Sequence, residues 1–329
     1  VIRVRGSAYR HEGAKLLVEE DGRTTGNVSG GCLEEDVREV ARRVMTSGIA
    51  ERRTYCGGTN EVAAWDLGVG CEGEVDILIE PVLTDRETEG LLMAAEVPFV
   101  VITRVDGIGG ADRSLTAPQG EPTRLVVSGD EAEEWLRTDR SQLIARDGTE
   151  VFVDVMVPPP RLLVVSGGDD ARHLARVADD VGFRVIVADR RPALLAPDRF
   201  PPSVLLVETD AARLMERIVL DGDSFAVVMT HHFADDTDYL RELLRSPARY
   251  LGVLGPRQRT ERILGILRAE GALGADEDPR IHGPVGLDIG TDGAEQVALS
   301  VVAEILAVRS GRRPRSLRER RVPIHADIE

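Results

Sequence analysis

The sequence predicts an α/β protein, with an N-terminal mixed α/β domain, residues 1–157, and a Rossmann-like domain with a doubly wound parallel sheet, residues 161–309. Two observations lead to this fold class. The second region alternates short apolar strands with amphipathic helices, the order that produces a parallel sheet covered by helices on both faces. Between the two regions, Pro158-Pro159-Pro160 forms a stiff spacer that neither a helix nor a sheet interior tolerates. An arginine-rich tail, residues 310–329, follows the second domain.

The composition restricts the class of protein and of partner. The chain has 329 residues, of which 42% are hydrophobic and 30% charged, and this is typical of a soluble globular protein. The net charge of −16 argues against nucleic acid or an anionic membrane as the main partner. The three cysteines and the lack of a signal peptide predict reduced thiols in a cytoplasmic protein. Because the chain begins at Val1 inside a strand-like run, we expect further native residues before it.

In the N-terminal domain, alternating side chains and turn residues predict a succession of strands with few helices. The predicted strands cover residues 1–4, 14–19, 24–28, 52–56, 75–79, 98–104, 125–128 and 150–156. Apolar residues at three- and four-residue steps predict a helix that starts after Cys32 and ends at Gly48. A second helix is predicted over residues 85–96, and a third around residues 131–136 of the mixed segment 130–144.

In the C-terminal domain, short apolar runs separated by helical patterns predict a parallel sheet. The predicted strands cover residues 161–165, 183–188, 204–208, 224–229 and 250–254. A first helix with Leu174 and Val181 on its inner face ends at Gly182. The later helices are predicted over residues 210–219, 236–244, 257–270 and 294–309.

Ser29, Gly30, Gly31 and Cys32 form a glycine-rich turn directly before the first predicted helix. Glycine permits positive φ angles and a close backbone approach to a ligand, and the first turn of a helix offers unpaired N–H groups. A thiol in this position tends to have a lowered pKa, which favours the thiolate that binds a soft metal. The acidic residues 34–36 oppose this effect through their charge. A buried structural cysteine after an ordinary turn is the alternative interpretation.

A second cysteine lies in another glycine-spaced loop, Gly68-Val69-Gly70-Cys71, just before a hydrophobic strand. Two glycine-flanked cysteines beside strands could converge on one site, and two unrelated loops are the alternative. The three cysteines, Cys32, Cys56 and Cys71, contain no CxxC pair, so a structural zinc site is not expected.

Gly167 and Gly168 follow the first strand of the C-terminal domain, and Asp189 ends the second strand about 20 residues later. This is the layout of a dinucleotide-binding βαβ unit, which makes NAD(P) a candidate cofactor. The fingerprint is incomplete, because Ser166 replaces the first glycine and two aspartates follow Gly168, where a pyrophosphate would lie. A Rossmann-type fold kept as a scaffold without nucleotide is the alternative.

Other candidate ligand-binding residues follow the later strands of the same domain. His231 and His232 come directly after the fourth strand, and open α/β sheets bind ligands at the carboxyl ends of their strands. Arg257 and Arg259 lie at the start of the helix after the fifth strand, an arrangement that suits phosphate. The alternatives are loop histidines bonded to nearby backbone and a solvated charged helix cap.

Several of these motifs, in the same order, resemble those of the XdhC/CoxI family, accessory proteins for molybdenum hydroxylases such as xanthine dehydrogenase. The resemblance covers most of the chain. It rests on Arg3-Val4-Arg5-Gly6-Ser7, Gly13-Ala14-Lys15-Leu16-Leu17, Val28-Ser29-Gly30-Gly31-Cys32, Leu67-Gly68-Val69-Gly70-Cys71, Thr230-His231-His232, Tyr250-Leu251-Gly252-Val253-Leu254-Gly255 and Gly286-Leu287-Asp288-Ile289-Gly290.

The resemblance implies a protein that binds a molybdopterin-type molybdenum cofactor, assists its sulfuration through a cysteine desulfurase, and delivers it to an apo molybdenum hydroxylase. A chaperone is therefore expected rather than a turnover enzyme. Under this hypothesis Cys32 and Cys71 ligate the metal, because a soft thiolate suits molybdenum. Ser29, Gly30 and Gly31 would form the cradle for the cofactor. The other cofactor-binding candidates are Gly167, Gly168, Asp189, His231, His232 and Arg257.

Two departures from the family pattern bear on nucleotide binding. The family usually has Gly-Ala-Gly-His where this chain has Ser166-Gly167-Gly168-Asp169, and an aspartate pair where this chain has Asp189-Arg190. An NAD(P)-dependent oxidoreductase, based on the βαβ unit and the two histidines, is the second hypothesis for the function. A scaffold that docks the desulfurase to its client is the third. The apolar helix at residues 294–309 could pair two protomers as a homodimer.

Overall fold

The computed structural model describes residues 1–6, 8–56, 73–82, 98–105, 124–127, 130–138, 140–146, 148–276 and 278–321. The predicted helix at 85–96 and the loop that contains Cys71 lie outside these residues. The chain divides into two compact units, Val1–Pro158 and a second that begins at Pro159. Each unit has hydrophobic clusters of its own. Within the described ranges, every helix is too short or too polar to span a lipid bilayer.

The described residues of the N-terminal unit form three antiparallel sheets and two helices. The strands are β1 (Arg3–Arg5), β2 (Leu16–Val18), β3 (Thr24–Gly26), β4 (Glu51–Cys56), β5 (Glu74–Ile79), β6 (Phe99–Arg104), β7 (Arg124–Val127), β8 (Gln142–Arg146) and β9 (Thr149–Met156). The helices are α1 (Glu34–Ser47) and α2 (Asp130–Thr138). One sheet has the order β1-β5-β4, a second consists of the hairpin β2-β3, and the third has the order β7-β6-β9-β8.

Helix α1 forms where its apolar periodicity predicts it, and it buries that apolar face. Val37, Val40 and Val44 are buried in one cluster with Val75 and Ile77 of β5. Each such side chain contributes about 1.5–3 kcal/mol when it leaves water. The helix ends at Gly48, whose φ of 68° places it in the left-handed region that glycine adopts without strain. Helix α1 therefore has a fixed position on β5, and the glycine turn before it is anchored at its helical end.

The mixed segment 130–144 contains a strand that the sequence did not predict. Helix α2 occupies Asp130–Thr138, and the chain then forms β8, which pairs with β9 in an antiparallel register that places Leu143 opposite Phe152. The alternation in this stretch is too short to stand out. The strand forms because β9 offers it a partner for its backbone and side chains, a tertiary effect that a local pattern does not contain.

The C-terminal unit confirms the predicted doubly wound parallel sheet. Its strands are β10 (Arg161–Val165), β11 (Arg184–Asp189), β12 (Leu205–Glu208), β13 (Phe225–Val228), β14 (Tyr250–Val253) and β15 (Ile281–His282). Their order is β12-β11-β10-β13-β14-β15, and all pairs are parallel. Numbered by their order along the chain, the strands follow 3-2-1-4-5-6, which is the Rossmann order. Successive strands are added on one side of β10 first and then, from β13 onward, on its other side.

The helices of the C-terminal unit cover both faces of the sheet. They are α3 (Asp169–Asp180), α4 (Leu214–Arg217), α5 (Phe233–Leu243), α6 (Arg257–Ala269) and α7 (Ala294–Ser310). Helices α3 and α7 pack on one face, and α4, α5 and α6 on the other. The buried residues of the central strands β10 and β13 are all apolar, because both faces of the sheet are covered.

Two details of the C-terminal unit differ from the prediction. The helix predicted at 210–219 is a 3₁₀ turn, Ala211–Arg213, followed by the single helical turn α4. It ends early because Ile218 becomes extended and is buried under the sheet. The two-residue strand β15 was not predicted, since two residues show no periodicity.

Candidate functional site

The predicted cradle in the N-terminal unit is a turn organised by Ser29. The N–H groups of Gly31 and Leu33 both donate to Ser29 Oγ at 3.1 Å, and the hydroxyl itself donates to the carboxylate of Glu34. Ser29 is buried, with 5% of its surface exposed. Its hydroxyl therefore stabilises the start of α1 from inside the turn, in the way of a helix cap.

Glu34 fixes the other end of the same turn. Its Oε1 accepts the N–H of Ser29 at 2.8 Å and the N–H of Val28 at 3.3 Å. Partial burial alone would raise the pKa of Glu34, but the hydrogen bonds from Ser29 and Val28 hold it below its usual value. The carboxylate is thus charged at neutral pH and is committed to the turn.

Gly30 and Gly31 form the outer part of the turn. Gly31 has a φ of 112°, and a Cβ placed on it would meet no described atom within 4 Å. A Cβ on Gly30 would lie 3.6 Å from the ring of Tyr9, which is 61% exposed. The first N–H groups of α1 have no acceptor within the helix. This turn therefore presents accessible backbone beside an exposed aromatic ring.

Cys32 connects this turn to α1. Its side chain is half-buried, carries a free thiol, and packs partly against the apolar cluster under α1. Cys71 lies outside the described residues, so the predicted pairing of the two sulfurs stays a prediction. Cys56, at the end of β4, is exposed. The pKa of its thiol is raised by partial desolvation and by the nearby carboxylate of Glu74. Among the described cysteines, Cys32 is therefore the better candidate for a soft metal.

The described part of the chain contains no cluster of three or more histidine, cysteine or acidic side chains arranged to hold a metal ion. A metal held by Cys32 would thus need ligands from outside these residues or from the metal's own cofactor.

The second candidate site lies at the carboxyl edge of the parallel sheet, where the strand order reverses. The glycine turn after β10 binds its own chain there: the Gly167 N–H donates to Asp189 Oδ2 at 2.7 Å, and the Gly168 N–H donates to Ser166 Oγ at 3.0 Å. Of the three predicted residues at this turn, Gly167 and Asp189 bond to each other, and Gly168 bonds to Ser166.

Asp189 is a buried carboxylate whose acceptors are occupied. Besides Gly167, it accepts the backbone N–H of Arg191 at 2.9 Å, its Nε at 2.9 Å and its Nη2 at 2.8 Å. Only 3% of Asp189 is exposed. Burial would raise its pKa, but the hydrogen bonds from Arg191 and Gly167 lower it, so the carboxylate is charged at neutral pH.

The two histidines after β13 face neighbouring acids. His231 has a φ of 61°, and its Nε2 lies 3.0 Å from Asp170 at the start of α3. His232 caps α5, because its Nδ1 accepts the N–H of Asp235 at 3.4 Å. Both side chains are more than half exposed. The alternative of a histidine bonded to nearby backbone thus describes His232.

Arg257 is exposed at the first turn of α6, at the same edge of the sheet. Its neighbour Arg259 is occupied: the guanidinium pairs with the buried Asp236 and stacks over Phe233. The predicted pair of phosphate-binding arginines is therefore reduced to Arg257.

Sequence reasoning missed the part that Leu194 and Arg199 play in closing the C-terminal glycine turn. Arg191 follows Asp189 by two positions, a spacing that lets the aspartate bond the backbone N–H two residues on. Leu194 and Arg199 contact Gly167 from two 3₁₀ turns, Pro192–Leu194 and Pro197–Arg199. The prolines at both turns indicate a defined loop, although not what that loop covers.

Comparisons with known proteins cover both units. A family model described as the XdhC and CoxI family matches residues 1–55, and one described as the XdhC Rossmann domain matches residues 162–305. The chain is 28% identical to a probable xanthine dehydrogenase subunit of Bacillus subtilis, over 94% of this chain and 92% of that protein. It is 25% identical to the molybdenum cofactor insertion chaperone PaoD of Escherichia coli, over 94% of this chain and 82% of that one.

A solved structure gives the same result for the fold. A crystal structure of a xanthine dehydrogenase from Bacillus halodurans matches with a TM-score of 0.74 and 28% identity. The match covers 95% of this chain and 91% of the other. The likeness therefore extends over both units.

Proposed function

Because this chain belongs to the XdhC/CoxI family, we propose that it is a chaperone that binds molybdenum cofactor and assists its insertion into a hydroxylase of the xanthine dehydrogenase type. The cofactor is the cargo of such a protein. The observation that carries the proposal to particular residues is the half-buried thiol of Cys32 beside the open glycine turn, within the segment that matches the family model.

The residues of this turn suit the cargo chemically. Cys32 offers a soft sulfur donor, which is suited to molybdenum in sulfur-rich coordination. Gly31 leaves the adjacent backbone uncovered by any described atom, so that the cofactor can approach the turn closely. Ser29 is occupied within the turn, and its role is to shape the cradle. The chemistry that the cargo supplies, hydroxylation at molybdenum, belongs to the client enzyme.

The proposal also includes a second sulfur donor, a source of the sulfur, a location and an oligomeric state. We propose that Cys71 supplies a second sulfur donor, and that a cysteine desulfurase provides the sulfur for sulfuration before delivery to the apo molybdenum hydroxylase. We also propose a cytoplasmic location. A homodimer through α7 is supported by Leu299 and Leu306, which leave apolar surface on that helix, with 55% and 36% of their area exposed.

The alternative of an NAD(P)-dependent oxidoreductase has less support. It requires that Asp189 accept the ribose hydroxyls of the dinucleotide, and that acceptor is occupied by Arg191 and Gly167. The two histidines remain at the edge of the sheet, but fold and position alone are weak support for a hydride-transfer enzyme.

The test is co-expression of the full chain with cofactor biosynthesis, followed by molybdenum and pterin analysis of the purified protein. Replacing a metal-ligating thiol should reduce retention by about tenfold or more, so we expect this loss for Cys32→Ala and for Cys71→Ala. Cys56→Ala is the matched control, because this cysteine is exposed and lies beside a carboxylate. Thermal unfolding confirms that each variant is folded.

Retention that is unchanged in a folded Cys32→Ala protein would remove Cys32 from the site. Failure of the wild-type chain to retain any pterin, or to raise the activity of a co-expressed apo-hydroxylase, would contradict the chaperone function itself.

A further inference from the structure

In a Rossmann domain, the adenosine ribose of a dinucleotide lies between the glycine turn after the first strand and the acid at the end of the second. In this chain those elements are residues 166–168 and Asp189. The segment that follows Asp189, residues 191–199, passes over this place and is here called the strap. Its contacts with the glycine turn determine what the crevice can accept.

In the first contact, Arg191 occupies the carboxylate of Asp189. Arg191 of the strap gives three hydrogen bonds to Asp189, and Gly167 gives a fourth, so each carboxylate oxygen receives two donors. A ribose diol would have to displace the Arg191 side chain to reach the same oxygens. Displacement is costly, because a fork of two parallel N–H bonds to a carboxylate is among the stronger polar contacts in proteins.

The second contact occupies the space beside the glycine. A Cβ placed on Gly167 would lie 2.8 Å from both the Cβ and the carbonyl oxygen of Leu194. On the same residue, Arg199 Nη2 donates to the Gly167 carbonyl at 3.0 Å. The turn that should receive a ligand is thus covered by the chain's own backbone and side chains.

The third feature is the charge at the start of α3. Asp169 and Asp170 lie there, and each has a partner in the chain: the guanidinium groups of Arg199 and Arg172 for Asp169, and the imidazole of His231 for Asp170. A pyrophosphate at this helix terminus would lie beside two carboxylates, whose negative charge disfavours it. Both the ribose position and the pyrophosphate position are therefore unfavourable for a dinucleotide.

We propose that the strap makes this crevice selective against nicotinamide dinucleotides, and that Arg191 is the specificity-determining residue because it holds the carboxylate of Asp189. The domain keeps the Rossmann strand order with its adenosine subsite filled by its own chain. This inference concerns the C-terminal unit alone and does not depend on the cargo proposed for the N-terminal turn.

The experiment is a calorimetric titration of the full chain with ADP-ribose, which contains the adenosine and pyrophosphate groups, and with NADH. We expect no saturable binding to the wild type at ligand concentrations up to about 1 mM. The double variant Arg191→Ala, Leu194→Gly frees the carboxylate and the space beside Gly167, so it should bind ADP-ribose at least about tenfold more tightly than the wild type.

Arg190→Ala is the matched control, because the neighbouring arginine pairs with Asp235 and makes no bond to Asp189 among the described contacts. It should behave as the wild type does. If the double variant does not fold, the single variant Arg191→Ala decides the test, since this side chain is 43% exposed and its loss leaves the packing of Leu194 intact.

Saturable binding of ADP-ribose or NADH by the wild type overturns the proposal. A folded Arg191 variant that gains no affinity overturns the assignment of specificity to Arg191, since the carboxylate of Asp189 would then be free without any effect on binding. An equal gain in Arg190→Ala would show that Arg191 has no special role, and it also overturns the assignment.

Discussion

The glycine turn at residues 29–32 and the one at residues 166–168 share a local plan, because each leads into a helix whose first turn is acidic. They differ in what lies against them. A Cβ on Gly31 would meet no described atom within 4 Å, whereas a Cβ on Gly167 would collide with Leu194. Within the described part of the chain, the first turn is uncovered and the second is covered, although both have the residues that bind ligands in other proteins.

The acidic residues that bond to the two turns come from different distances along the chain. Glu34 lies only five positions after Ser29, so the N-terminal turn is closed by its own helix. Asp189 lies 22 positions after Gly167, on the neighbouring strand, and it brings Arg191 and the strap with it. The difference teaches that a glycine-rich motif defines a backbone shape, and that distant segments decide whether this shape is available to a ligand.

The largest expected effect concerns the acid of the covered turn. Asp189→Ala leaves the buried Gly167 N–H without its acceptor, while the partly exposed Arg191 can turn to water. We expect a loss of about 2–3 kcal/mol in the free energy of unfolding, measured by urea denaturation. Asp170→Ala is the control, because its pair with His231 is exposed and should be worth less than about 1 kcal/mol. Equal losses in the two variants would mean that Asp189 contributes no more to stability than Asp170 does.

The second largest expected effect comes from adding a Cβ to one glycine of each turn. Gly167→Ala places a Cβ against the backbone of Leu194, a clash that neighbouring atoms must relieve, at a cost of about 1–3 kcal/mol. Gly31→Ala has open space among the described residues and incurs only the cost of its positive φ, about 1–2 kcal/mol. Thermal unfolding of the two variants should therefore rank them in this order. A larger loss in Gly31→Ala would mean that the first turn is covered as well.

The strands and helices of the C-terminal unit were predictable because the information for them is local. Leu162 to Val165 form an uninterrupted buried run, and such runs alternate with helices whose apolar faces have a period near 3.6 residues. In α1 the same periodicity predicted both the helix and its buried face. The end of α1 at Gly48 was also predictable, because a glycine after a helical run predicts a left-handed cap.

Local patterns did not predict whether other residues cover each of the two turns. Leu194 and Arg199 reach Gly167 from 27 and 32 positions along the chain, and no periodicity marks a residue as the cover of another. The short strand β8 escaped prediction for a related reason, because its stability comes from β9. The sequence therefore contained the candidates Gly167 and Asp189, but not the fact that they bind each other.

The smallest expected effect is the pH dependence of the uncovered turn. The hydrogen bonds from Ser29 and Val28 lower the pKa of Glu34 in the folded protein from its usual 4.5. A carboxylate with a lowered folded pKa contributes stability that is fully present above the unfolded pKa and is lost as the pH falls through the folded pKa. The stability difference between the wild type and Glu34→Gln should hence be constant near neutral pH and shrink below about pH 4.5.

The measurement is thermal unfolding of both proteins between pH 7 and pH 3. Glu35→Gln is the matched control on the next residue, because that carboxylate is 77% exposed and contacts Arg38 at the surface. Asp189 also titrates to a lowered pKa, but it is present in all three proteins and cancels from the differences. A Glu34→Gln difference that does not change with pH would mean that Ser29 and Val28 do not hold the charged carboxylate. The uncovered turn would then owe its shape to the glycines and the helix alone.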